Sequence, residues 1–438
     1  MTSERVERPR CAWLGDSREA LPVAHALVGA GLGDLVVAAE CGDLAGELLA
    51  LVPGLRLERD WEALLTRADL AVVLVASDSD QVLEGARQLA RGGARLLVCI
   101  GGSAGRLFSE LTLLDAESPG RIWPLLPQRN LPAVAALARE LSAGAGPEVS
   151  GESAGDATRL PVNLRAVQFE RTQPGPVLDP AQLDRAFLHD ADLLRSLLGR
   201  FEQLTALRHA DPQGQLSQAT TTLGGPDLPP VAWQVIPGAA GDWRLSVVRQ
   251  GGLTASTGTT GAGTVMLESR GPQFRLWREG REVQAWDEAG AWHEAWIKTV
   301  REALAGIREG KGAPGASWDD LVRGVELLSA TQESLRRRRT IDVLFEAPSE
   351  RNLFKSAMTA AGCGLLLLTP VLVVLYLLVA AALPLPKWLK VTLVTLVFAP
   401  FGLFLVLQAL VWITRPSAAE LSSRSGSAGE QARSGAGA

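Results

Sequence analysis

Two clusters of residues in this chain have the types and spacing that chemistry needs. The first is Gly15-Asp16-Ser17-Arg18-Glu19-Ala20, which follows a short apolar run. A turn that cradles a dinucleotide needs glycine where backbone approaches the pyrophosphate, and a helix N-terminus aimed at it. Gly15 holds the first place of such a frame, Ser17 allows close approach, Ala20 allows packing, and Glu40 stands where a carboxylate accepts ribose hydroxyls. Asp16 and Glu19, however, bring negative charge towards a dianionic ligand, so an ordinary strand-to-helix turn that binds no dinucleotide fits the same residues. The second cluster is His189-Asp190-Ala191-Asp192. His189 and Asp192 fall at i,i+3 on one helical face, where a carboxylate orients an imidazole and raises its basicity for general acid/base work. A surface helix start whose aspartates complement the helix dipole fits that spacing too. The remaining histidines, His25, His209 and His293, have no such setting, and Cys11, Cys41, Cys99 and Cys363 form neither a close pair nor a CxxC, so no disulfide framework and no metal site is expected.

The elements that must position these residues follow from hydrophobic periodicity. Strands are predicted at 11–15, 35–39, 70–76 and 95–100, with helices at 21–28, 43–52, 61–68 and 81–91 between them. Near-continuous Leu/Val runs mark strands covered on both faces, and so a doubly wound, Rossmann-like parallel sheet. After a helix at 133–141 and a Gly/Ser/Glu-rich loop at 142–158, alternation dominates, with strands at 164–171, 216–223, 231–236, 243–249, 263–268 and 273–278. Helices at 184–198, 296–309 and 318–335 flank them, which predicts an α+β domain with a mainly antiparallel sheet.

The end of the chain is different in kind. Residues 361–383 are 23 positions without a charge, thirteen of them Leu or Val, and at roughly -0.3 to -0.6 kcal/mol each these offset Pro370. Residues 391–413 repeat the pattern, with Trp388 and Trp412 near the ends as interfacial anchors. The seven residues between allow only a tight turn, which predicts a transmembrane helical hairpin in a lipid bilayer. Arg336 to Arg339, Arg351 and Lys355 before the pair, with Arg415 after it, outnumber Lys387 and Lys390 in the turn. The body and the C-terminal tail are therefore expected on the cytoplasmic side. The Arg336–Arg339 run suits anionic headgroups, and equally a solvated helix end. With 43 Lys and Arg against 48 Asp and Glu, the net charge is -5, so no nucleic-acid partner is expected.

Four stretches, in order, resemble the Gfo/Idh/MocA-type oxidoreductases. Residues 61–100 resemble the segment leading to that family's catalytic Glu-Lys-Pro, and Gln128-Arg129-Asn130-Leu131-Pro132-Ala133 its Arg-x-x-Pro-Ala. Leu188-His189-Asp190-Ala191-Asp192-Leu193-Leu194 resembles its His-Asp-x-Asp-Leu-Leu helix, and 318–330 with 334–343 its closing helix and strand. The likeness covers roughly residues 10 to 345. It implies NAD or NADP as cofactor, a sugar or nucleotide-sugar ligand, and homo-oligomers formed through the second-domain sheet. The departures bear on activity. Cys99-Ile100-Gly101 stands in place of Glu-Lys-Pro, Ser77-Asp78-Ser79-Asp80 lacks the groups usual after the preceding strand, and Arg185 replaces an aspartate of many relatives. Isoleucine moves no proton, and Cys99 has no basic neighbour in sequence and reads as a core residue.

The expectation is therefore five segments: a Rossmann-like domain at 1–130, an α+β domain at 131–345, a linker at 346–360, the transmembrane hairpin at 361–413 and a disordered tail at 414–438. The favoured function is a catalytically degenerate, membrane-tethered binding or scaffolding module that retains a nucleotide or sugar ligand. The other reading is an active NAD(P)-dependent oxidoreductase using His189 with Asp192. Two plain apolar helices without a buried ionisable residue give no transport pathway.

Overall fold

The computed structural model describes residues 8–99, 111–112, 114–115, 120–142, 164–225, 228–249, 263–309, 315–343 and 388. The expected linker, transmembrane hairpin and tail lie outside them except for Trp388, as do Ile100 and, but for Ser142, the 142–158 loop. No helix among the described residues is long and apolar enough to cross a membrane. The chain divides into two units, Met1–Phe345 and Glu346–Ala438, and the architecture below is that of the first.

Six parallel strands form the first sheet: β1 (Arg10–Leu14), β2 (Asp34–Ala39), β3 (Arg56–Glu58), β4 (Val72–Val75), β5 (Arg95–Cys99) and β6 (Ile122–Leu125). Their order, β3-β2-β1-β4-β5-β6, is that of the doubly wound dinucleotide fold. Alternate residues of β1 explain why both faces are covered. Ala12 and Leu14 pack with α3 (Glu62–Leu65) and α4 (Asp80–Arg91), whereas Cys11 and Trp13 pack with α1 (Leu21–Gly29) and α2 (Ala45–Leu51). The expected helix at 43–52 opens as a 3-10 turn, Gly42–Leu44, and the one at 61–68 shrinks to a single turn.

Helix α5 (Pro132–Ser142) leads to the second sheet. That sheet contains β7 (Leu164–Pro174), β8 (Gln203–Ala210), β9 (Leu216–Gly224), β10 (Val231–Gly238), β11 (Trp243–Arg249), β12 (Gly263–Arg270), β13 (Gln273–Arg278), β14 (Arg281–Asp287) and β15 (Ile341–Asp342). It is mixed: β7 and β10 run parallel, and the other described pairs are antiparallel. One face packs on α5 and on α6 (Pro180–Leu198), with Phe169, Trp233 and Leu245 meeting Leu137, Phe187 and Leu194 in one core. Helix α6 begins four residues before its expected start because Asp179 accepts a bond from Ala181 N and Pro180 supplies the first helical φ.

Two further helices serve both sheets. In α7 (Glu288–Glu309), Ala291 and Ala295 join the second core while Val300, Ala303, Leu304 and Ile307 join the first. In α8 (Trp318–Arg337), Trp318, Leu321 and Val325 cover the first sheet while Leu327 and Leu328 cover the second. Gly306 lets α7 lie on β6, since an added Cβ would stand 2.6 Å from Trp123 Nε1.

Candidate functional site

The turn after β1 is stitched to its neighbours by backbone. Gly15 N–H donates to Ala39 O at 3.1 Å, at the end of β2, and Ser17 N–H donates to Ala76 O at 2.9 Å, just past β4. Gly15 takes φ +122°, and an added Cβ would sit 2.8 Å from Ala76 C and Ser77 Cβ. Its glycine character is thus required by the crossing of two strand ends. Ala20 is fully buried, Ser17 half-buried, and a 3-10 turn at Arg18–Ala20 separates them from α1.

Two of the charges on this turn are paired within the chain. Arg18 pairs with Glu47 at 2.9 Å, and Glu19 pairs with Arg185 of α6. Asp16 reaches across to the end of β2, where an added Cβ on Gly42 would lie 3.5 Å from Asp16 Cβ and 3.9 Å from its Oδ2. Glu40 stands beside it in the left-handed region at φ +54°, followed by Asp43. The carboxyl ends of β1 and β2 therefore present mainly carboxylates.

His189 lies half-buried in α6, one helical turn after Arg185. Its backbone carbonyl accepts from the Gln128 amide nitrogen at 2.8 Å, in the amide orientation that also lets Arg171 donate to the Gln128 oxygen at 3.3 Å. That orientation is preferred to one placing the nitrogen near Asp190, which would set the amide oxygen against the His189 carbonyl and the nitrogen against the Arg171 guanidinium; Asp190 itself accepts from Arg171 Nε at 2.8 Å and Trp233 Nε1 at 2.9 Å. Asp192 is buried, and Arg129 donates to it from Nε at 3.0 Å and also from Nη2. Arg129 Nη1 donates in turn to Asp320 at 3.4 Å, and Arg195 Nη1 to the Asp320 carbonyl at 3.0 Å. Asn130 ties the same segment to α7 through Thr299 Oγ1 at 3.0 Å and Glu302 Oε2 at 2.8 Å. Both aspartates of the second cluster are thus bound to arginines.

Gln128, Arg129, Arg171 and Trp233 are the residues that sequence reasoning did not single out for the site. A usable signal was present in Gln128-Arg129-Asn130, three polar residues set between Leu125-Leu126-Pro127 and Leu131-Pro132. At the end of β5, burial pushes the Cys99 thiol up to about 12, so it stays protonated at neutral pH and offers no nucleophile. A separate cavity of about 360 Å³ lies at one end of the second sheet, among Glu170, Gln234, Ile236, Arg244, Glu268 and Arg270.

No family model and no curated protein matches the sequence. Solved structures do. The chain is similar to a myo-inositol dehydrogenase from Corynebacterium glutamicum (18% identity, 77% of this chain, 100% of that one, TM-score 0.55). It is similar also to levoglucosan dehydrogenase in complex with NADH and L-sorbose (14% identity, 77% and 100% covered, TM-score 0.57). A third is apo scyllo-inositol dehydrogenase from Lactobacillus casei (13% identity, 77% and 98% covered, TM-score 0.54). The fold is that of the Gfo/Idh/MocA-type oxidoreductases. In a doubly wound sheet the dinucleotide pyrophosphate lies at the turn after β1, held by backbone N–H groups. At this turn the Gly15 and Ser17 N–H groups are bonded within the chain, to the Ala39 and Ala76 carbonyls, and the Asp16 side chain lies beside Gly42. The carboxylates of Asp16 and Glu40 at these strand ends oppose a dianionic ligand there.

Proposed function

We propose that this chain is a membrane-tethered, catalytically degenerate protein on the Gfo/Idh/MocA oxidoreductase fold, acting as a binding or scaffolding module at the cytoplasmic face. The observation that carries the reading is the set of carboxylates at the ends of β1 and β2, Asp16 beside Gly42 with Glu40 and Asp43 following β2, where the resemblance expects a phosphate cradle. In the sequence, Ile100 stands where the resemblance places the acid/base lysine, and losing a positioned acid/base costs about 10²–10⁴-fold in rate. The two uncharged stretches at 361–383 and 391–413 supply the tether.

A homo-oligomer through the second sheet belongs to the same proposal. Residues Glu170, Arg244, Glu268 and Arg275 stand in register across β7, β11, β12 and β13. Such an alternating row meets its own copy with opposite charges about a two-fold axis.

The deciding experiment titrates the full chain in detergent with NADH and NADPH while following the fluorescence of its 12 tryptophans. Absence of saturable quenching up to millimolar cofactor agrees with the proposal. Micromolar saturation, with cofactor reduction by a sugar that His189→Ala abolishes, would establish the active oxidoreductase built on His189 and Asp192 instead.

A further inference from the structure

We infer that the cavity on the outer face of the second sheet binds a neutral polyhydroxylated molecule, a sugar or polyol, whose hydroxyls bridge Arg244 to Glu170 and Glu268. This gives the binding-module reading a ligand class and a place, and rests on that reading. The cavity, about 360 Å³, is of a size that suits a small ligand. Arg244 on β11 stands between Glu268 on β12 and Glu170 on β7, and Gln234 on β10 follows Glu170 in the same row. These side chains point away from the core, because their neighbours Phe169, Leu245 and Leu267 point into it. At the end of the cavity the Thr172 hydroxyl donates to Ala240 O, and Asp242 Oδ1 accepts from Gly271 N–H at 3.2 Å, so two turns fix its rim.

The spacing of the charges selects the ligand. Arg244 Nη1 lies 3.8 Å from Glu170 Oε2, and Arg244 Nε lies 4.0 Å from Glu268 Oε2, both beyond hydrogen-bond reach. On the other face of the sheet, Arg171 meets Asp190 directly at 2.8 Å. The Glu268 side chain is only 10% exposed, and Trp277 Nε1 donates to its Oε1 at 3.1 Å, while Oε2 accepts no hydrogen bond among the described residues. A sheltered carboxylate oxygen of this kind calls for a donor. A group that fills either gap must accept from the guanidinium and donate to the carboxylate. An ammonium cannot accept and a carboxylate cannot donate, but a hydroxyl does both. Water does both too, and a polyol offers the same bonds while laying its C–H face on the exposed Ile236. The lining charges are near balance, Glu170, Asp242 and Glu268 against Arg244 and Arg270, with Arg171 given to Asp190, so a polyanion gains nothing here. The same row forms the self-contact proposed above, so polyol and second copy compete for it.

The test uses the full chain in a detergent without a sugar headgroup and follows xylitol binding by calorimetry, with γ-aminobutyrate as a zwitterion and inorganic phosphate as an anion. Xylitol is expected to saturate in the millimolar range, more tightly than either charged probe. Arg244→Met keeps the stem and removes the donors, and is expected to weaken xylitol binding about tenfold or more, the scale of one charge-assisted hydrogen bond. The Arg244 side chain is 48% exposed, so this variant decides the matter even where Glu268→Ala fails to fold. Absence of saturation overturns the inference, as does xylitol binding unchanged in Arg244→Met or tighter binding of γ-aminobutyrate or phosphate. Xylitol binding lost in His189→Ala but kept in Arg244→Met would place the ligand at the α6 cluster and overturn it too. Self-association untouched by saturating xylitol in sedimentation would sink the self-contact alone. Micromolar NADH binding, with xylitol binding still dependent on Arg244, would sink the degenerate reading alone.

Discussion

Arg129 holds a guanidinium almost out of water between two carboxylates, its side chain 15% exposed against 3% for Asp192 and 26% for Asp320. Burial works to lower its pKa, and Asp192 and Asp320 outweigh burial and raise it. At Asp320, burial raises the pKa, but Arg129, the Ser317 backbone N–H and Arg195 together bring it below the usual carboxylate range. Asp192→Asn leaves a buried guanidinium with one charge partner fewer, and is expected to lower unfolding stability by about 3–5 kcal/mol in a urea titration. The pH dependence follows from the sign at Asp320. A carboxylate whose folded pKa is depressed contributes stability above its unfolded pKa, and that contribution is lost as pH falls through the folded value. Stability should therefore drop below about pH 4, and Asp320→Asn should flatten that acid slope in circular-dichroism melts. The sequence made His189, Asp190 and Asp192 visible as a group because they are neighbours on one helix. Their partners were not visible. Arg129 lies 63 residues from Asp192, and only the return of α6 to the turn after β6 brings them together.

Elements with a strong apolar period were legible, and their chemistry explains the rest. Strands β1, β2, β4 and β5 bury most of their residues and announce themselves. Strand β6 contains Pro124, which sequence reasoning demotes, and the sheet tolerates it because β6 is an edge strand. Strand β3 is three residues at the opposite edge, and β14 exposes all but one of its residues, so neither shows an apolar alternation. The Gly15 turn was legible as a glycine requirement, but whether backbone or cofactor imposes it was not. Contact with Ala76 and Ser77 answers for the backbone. Gly15→Ala is accordingly expected to cost about 1–3 kcal/mol in chemical denaturation, from left-handed strain and the crowded strand ends. A variant of wild-type stability would contradict this account of the turn.

At the scale of the whole molecule, the proposal joins a two-sheet body to a bilayer. The full chain is expected to stay in the membrane pellet after alkaline carbonate extraction, whereas a chain ending at residue 345 is released. Cysteines introduced at Ser425 and at Arg8 should both be labelled only after the cytoplasmic side is opened, and labelling of either from the other side would refute the topology. The helices α7 and α8 carry a separate consequence. Because each is rooted in both hydrophobic cores, the strands up to residue 130 lack part of their cover until the last third of the body has been made. During synthesis the early sheet must wait, half clothed, for residues 288–337. Calorimetry of the released body should show one melting transition rather than two, and the bend of the chain near residue 130 should prove no place to cut.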